Sequence, residues 1–183
     1  MRIIAVGTLC LGAIATGSAF AAQTPPSITA TSIEGAKLGL TASAYEQLLG
    51  APFRSEAVPF GAPFTRLLFT RRRMAVYFRN GFDKGVEVIS WNRTDRSATG
   101  IGPCSSIAQL QTAYAGKVKP MPGNTIKGAV YVYRVGDTLF AANGKPPHPT
   151  KRVTAVAVYS TRLFHDPKAV GYAGFFILST PNC

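Results

Sequence analysis

The sequence predicts an α+β fold: a tandem repeat of a short helix followed by a three-stranded antiparallel meander, with the helices on one face of the sheet. Three observations carry this reading. Two short stretches place apolar residues at helical spacing directly after hydroxyl side chains. Each is followed by three runs of β-branched and aromatic residues separated by turn signals. A shift of 65 residues lays 64–70 on 129–135 and Gly39 on Cys104, a period that argues for duplication.

Along the chain, Arg2 and the apolar run 3–15 come first, and the run is too short to span a bilayer. Ala19-Phe20-Ala21 supplies the small residues that a signal peptidase reads, so residues 1–21 are expected to be a signal peptide and the exported product to begin at Ala22. Gly7-Thr8-Leu9 ahead of Cys10 lacks the pattern for lipid attachment. Of the 183 residues, 162 remain after this cleavage, with a net charge falling from +12 to about +11 because Arg2 is the one charged residue removed. That length suits one domain or two small intimate units. No later apolar stretch reaches membrane length, so the expectation is a secreted or periplasmic protein that does not span a membrane. Removing Cys10 leaves Cys104 and Cys183, an even pair in an oxidising space, expected to form one disulfide.

Residues 22–32 read as a flexible leader, 33–97 as the first α+β unit and 98–183 as the second, with a C-terminal strand. In the first unit Thr41 can cap a helix whose Ala44, Tyr45, Leu48 and Leu49 form an apolar stripe ending at Gly50 and Pro52. Strands are expected at 64–70, 74–79 and 86–92. Arg71-Arg72-Arg73 joins the first two, and Asn80-Gly81 opens the next turn. In the second unit Ser105 or Ser106 precedes a helix carrying Ile107, Leu110, Ala113 and Tyr114. Strands follow at 129–135, 138–142 and 153–160, with Val135-Gly136-Asp137 as a tight turn.

The openings at 38–52, Leu-Gly-Leu-Thr and Tyr45 before Leu48-Leu49-Gly50, and at 100–116, Gly-Ile-Gly-Pro through Ser105-Ser106-Ile107, resemble the helical openings of the tandem units in the β-lactamase inhibitor protein family. They are also similar to small outer-membrane-assembly lipoproteins built on a related unit. The resemblance covers most of 33–160. It implies a short helical segment packed on an antiparallel sheet and an inhibitor-like mode of action.

Catalytic and metal signatures are thin. His148 lies in a Pro-rich loop and His165 opens a turn signal, and no HExxH, CxxC, GxSxG or phosphate-binding glycine loop occurs. None of the eight acidic residues, Glu34, Glu46, Glu56, Asp83, Glu87, Asp95, Asp137 and Asp166, is singled out as half of a pair. The expectation is a non-enzymatic chain without cofactor or metal, with a hydrolase that carries no recognisable motif as an alternative.

Strand alternation instead points to binding. It turns Leu67, Phe69, Val76, Phe78, Val86 and Val88 toward the first helix, with Val130, Val132, Leu139, Ala141, Val156 and Val158 toward the second. The opposite face then presents Arg66, Tyr77, Arg79, Trp91, Tyr131, Tyr133 and Tyr159, residue types that anchor interfaces. These seven are the expected docking residues for a protein partner in the envelope or outside the cell, unless 172–180, itself strand-like, covers them. The basic residues Arg71–Arg73, Lys117, Lys119, Lys145, Lys151 and Arg152 offer an anionic envelope polymer as an alternative partner. No motif for specific nucleic-acid recognition is present.

Overall fold

The structure is a computed structural model that describes residues 25–57, 64–120, 131–142, 152–160 and 183. The expected signal peptide, His148, His165 and the strand-like 172–180 lie outside the described residues.

The first small element is a hairpin, β1 (Ser32–Ile33) against β2 (Ala36–Lys37). Glu34 and Gly35 turn it with φ of 52° and 79°, the left-handed pair that a tight two-residue hairpin requires. Helix α1 (Ala42–Leu49) starts where Thr41 accepts the Ala44 N–H and stops at Gly50, whose φ is 89°. Four strands follow: β3 (Arg54–Ala57), β4 (Phe64–Phe69), β5 (Met74–Arg79) and β6 (Gly85–Ser90). Helix α2 (Ile107–Ala113) opens with a capping box in which Ser106 and Gln109 satisfy each other's backbone N–H groups. Then come β7 (Lys119–Pro120), β8 (Tyr131–Val135), β9 (Thr138–Ala142) and β10 (Val153–Tyr159).

These strands overturn the expected tandem repeat of helix plus three-stranded meander. The fold is mostly β: one eight-stranded antiparallel sheet in the order β3-β4-β5-β6-β10-β9-β8-β7, with the separate β1-β2 hairpin. The strands do not stop at two meanders because β6 and β10 pair with each other, from Val156 opposite Ser90 to Tyr159 opposite Glu87. Both are buried throughout, so leaving either as an open edge would expose backbone groups and apolar side chains together. β3 and β7 extend the sheet outward on its two sides.

One face of the sheet receives both helices and the N-terminal segment. Tyr45 and Leu49 from α1, Ile107 and Leu110 from α2, and Ile28 and Ile33 pack there on Phe69, Val76, Val88, Phe140 and Val156. The expected leader is tied in, since Ile28 is buried and its N–H donates to Arg96 O. The reverse face buries Phe64, Ala75, Val86, Ile89, Leu139 and Ala157.

Facing differs from expectation in two places. On β8 and β9, Tyr133 and Phe140 turn toward the helices while Val132, Leu139 and Ala141 turn away. Tyr133 lies opposite Phe140, and Phe140 opposite Val156, so this register fills the space beside a seven-residue helix with aromatic volume. Tyr114 completes that cluster at 5.7 Å from the Phe140 ring. On β6, Val86 falls on the reverse face because the pairing slips between Tyr77 and Phe78, setting Phe78 opposite Gly85. Gly85 is needed there, as a Cβ would stand 2.5 Å from the Tyr45 hydroxyl oxygen.

Cys104 and Cys183 come together with their sulfurs at bonding distance and a Cα separation of 5.4 Å, closing a sequence separation of 79. No helix among the described residues is long and apolar enough to cross a membrane.

Candidate docking surface

The sequence-predicted residues divide between the two faces of the sheet. Arg66, Tyr77 and Tyr159 do come together on the reverse face, in one cross-strand row that runs Glu56, Arg66, Tyr77, Glu87, Tyr159 across β3, β4, β5, β6 and β10. Arg66 Nε donates to Glu56 Oε1 at 2.8 Å, and its guanidinium also reaches the Tyr77 hydroxyl. The row is buried: Arg66 is 5% exposed, Tyr159 1%, and Tyr77 and Glu87 are fully enclosed. Burial pushes the Tyr77 phenol up to about 12 against the opposing pull of Arg66, and lifts the Glu87 carboxyl well above its usual range. Both Glu87 carboxyl oxygens, Arg66 Nη1 and the Tyr159 hydroxyl lack hydrogen-bond partners among the described residues.

The expectation that these side chains stand open to solvent is therefore corrected. Trp91 lies half-buried against the same face, and Arg79 is half-buried at its edge. Tyr133 belongs to the helix-facing core, for the packing reason given above. The side chain of Tyr131 lies outside the described residues. An aromatic residue on a strand buries more apolar area than a valine, so alternation marks a face without saying which face meets water.

The large apolar side chains that do meet solvent among the described residues are Phe53, 68% exposed, Phe82, 47%, and Leu48, 43%. All three surround α1. Leu48 lies on its outer side, and Phe53 follows its stop, where Gly50 and Pro52 turn the chain onto the sheet edge. The Phe53 N–H donates to Leu68 O at 2.7 Å, which fixes the backbone while the ring points outward. Each exposed ring has a guanidinium over it: Arg54 is 5.8 Å from the Phe53 centroid and Arg79 5.3 Å from that of Phe82.

Beside Phe53 opens a cavity of about 310 Å³ whose lining includes Leu49, Pro52, Phe53, Phe69, Arg71 and Arg72. Its basic wall is the β4–β5 turn, where Arg73 takes φ 54° and the N–H groups of Arg72 and Arg73 donate to Phe69 O and Thr70 O. The turn leaves Arg71, Arg72 and Arg73 exposed. No acidic side chain among the described residues lines this cavity. The nearest carboxylate on the edge strand, Glu56, is already engaged by Arg66 and Arg54, and the Arg66 hydrogen bond holds it below the usual carboxylate range.

A third cluster lies at the opposite end of the core. Asp95 is buried, accepts a hydrogen bond from Ser90 Oγ, and is pushed up to about 7 by burial and by the Glu34 carboxyl. Glu34 faces a cavity of about 990 Å³ together with Ser27, Thr94 and Arg96. A side-chain hydrogen bond joins Glu34, in the β1-β2 turn, to Asp95, in the chain after β6. Among the described residues no group of three His, Cys, Asp or Glu is placed to hold a metal ion.

Sequence reasoning missed Phe53, Leu48 and Phe82. A Phe-Arg pair directly after a helix-stopping Gly-Ala-Pro, outside any periodic run, was the available signal. No family model, no curated protein and no solved structure matches this chain, so the likeness to the inhibitor family rests on the two helical openings alone.

Proposed function

We propose that this chain is an exported, non-catalytic binding protein that docks a protein partner through the rim beside α1, formed by Leu48, Phe53, Arg54, Arg71 and Arg72. The single observation that carries the reading is Phe53, 68% exposed, under the Arg54 guanidinium and at the mouth of an apolar cavity walled by arginines. Aromatic and arginine side chains dominate interface energetics because they bring large area with a polar tip. A ring held by a hydrogen-bonded sheet edge loses little further freedom on binding. Export is supported by the apolar run and small-x-small site at the N-terminus and by the paired cysteines.

The test is capture of partners from the envelope and culture fluid of the source cells on immobilised protein, wild type against Phe53→Ala and Arg72→Glu. The reading expects one protein retained by wild type and lost from both variants at unchanged melting temperature. Equal retention by all three removes the rim from consideration.

The exposed Arg71-Arg72-Arg73 turn and the strongly positive net charge, +12 for the full sequence and about +11 after the expected cleavage, favour a second reading, an anionic envelope polymer held by counterion release. That reading expects Arg72→Glu to weaken retention, Phe53→Ala to leave it alone, and salt to abolish it.

A further inference from the structure

The two edges of the eight-stranded sheet are built differently. At one end β7 carries Pro120, which lacks the N–H that a further strand would need there. At the other end β3 is four residues, Arg54–Ala57, with no proline, and only Glu56 is even partly covered. Its one strand neighbour among the described residues is β4, and no described residue pairs with its outer side.

The surroundings of that edge select what could pair with it. Phe53 leads directly into β3, and the 310 Å³ cavity at its start is walled by Leu49 and Phe69, space suited to one large apolar side chain. Arg54, Arg71 and Arg72 flank the opening with no acid among the described lining residues. Glu56, the one carboxylate on the strand, is neutralised from within by Arg66 and Arg54. Among the described residues the edge therefore presents main chain without a second strand, one apolar cavity and an excess of positive charge.

We propose that β3 accepts an extended acidic segment of the protein partner, which adds to the sheet as a further strand and sets one apolar side chain into the cavity beside Phe53. This rests on the docking reading above and specifies its geometry and charge. Main-chain hydrogen bonds along β3 provide affinity, the cavity provides selectivity, and the arginines provide orientation and rate.

A synthetic peptide of alternating sequence, Glu-Val-Glu-Phe-Glu-Val-Glu, is the probe, titrated into the full protein with anisotropy as readout and amide exchange of 54–57 measured alongside. The expected result is binding that protects the β3 amides and that weakens roughly tenfold or more when alternate peptide nitrogens are methylated or when Lys replaces Glu. Phe53→Ala and Arg71→Glu should weaken it similarly without lowering the denaturation midpoint. Absence of binding by the unmodified peptide overturns the proposal. Binding that ignores N-methylation, or that dextran sulfate displaces whether or not the nitrogens are methylated, overturns strand addition while leaving the rim as a docking surface. Indifference to both Phe53→Ala and Arg71→Glu overturns the rim reading as well.

Discussion

Replacing Glu87 by Gln should stabilise this protein at neutral pH, by an amount that disappears in acid. Glu87 sits in the middle of the sheet between Tyr77 and Tyr159, fully enclosed, with neither carboxyl oxygen hydrogen-bonded among the described residues. Burial raises its folded pKa well above the ordinary value, so the folded chain keeps a proton that the unfolded chain releases. For an acid shifted in this direction stability is fully present below the unfolded pKa and declines as pH rises toward the folded one. The decline is at most about 1.4 kcal/mol per pH unit. The loss begins above the unfolded glutamate range, at about 4.3, and continues until the folded carboxyl itself ionises. Glutamine keeps the shape and carries no such penalty. Urea unfolding at pH 4, 5.5 and 7, followed by the fluorescence of the single tryptophan, Trp91, measures the difference directly. Glu87→Gln should gain on wild type between pH 4 and pH 7 by an amount that grows with pH and does not exceed about 1.4 kcal/mol per pH unit. Other titrating groups, Asp95 among them, are common to both proteins and cancel. Parallel stability curves across the three pH values would refute the enclosed, unpaired carboxyl.

Three further outcomes follow from the packing. Reduction of the Cys104–Cys183 link, or its replacement by serine, should lower stability by about 4 kcal/mol for a closed loop of 79 residues, read as a drop in denaturation midpoint. Tyr133→Ala should cost about 3 to 5 kcal/mol in the same assay, because the ring belongs to the helix-facing core and not to a binding surface. Gly85→Ala should cost roughly 1 to 3 kcal/mol, since the new Cβ would stand 2.5 Å from the Tyr45 hydroxyl oxygen and force that ring off its position under α1.

Local rules were legible in the sequence where a single residue type decides the geometry. Thr41 and Ser106 cap the helices, Gly50 ends the first, and the six central strands begin and end within about two residues of the periodic runs. The sheet was not legible as one object, because nothing local in Val153–Tyr159 says that Gly85–Ser90 will be its partner. β3 escaped notice since Arg-Ser-Glu-Ala has neither β-branched residues nor alternation, and its place is fixed by pairing with β4. β7 escaped for the same reason.

The candidate site failed in the sequence on a different point. Alternation identified Arg66, Tyr77 and Tyr159 as sharing a face, yet period 2 carries no sign of which face is buried when both are largely apolar. The slip between Tyr77 and Phe78 added a local error at Val86. Exposure of Phe53 depended on where α1 stops relative to the sheet edge, a tertiary fact.

The central claim is that a partner sits on the rim beside α1. Site-specific photocrosslinking in the source cells tests it most directly, with a benzophenone amino acid placed at Phe53 in one strain and at Thr99, an exposed residue across the core, in another. The account predicts one discrete crosslinked protein band from position 53, absent from position 99 and absent when Arg71 and Arg72 are changed to Glu. A band from position 99 with none from position 53 would contradict it.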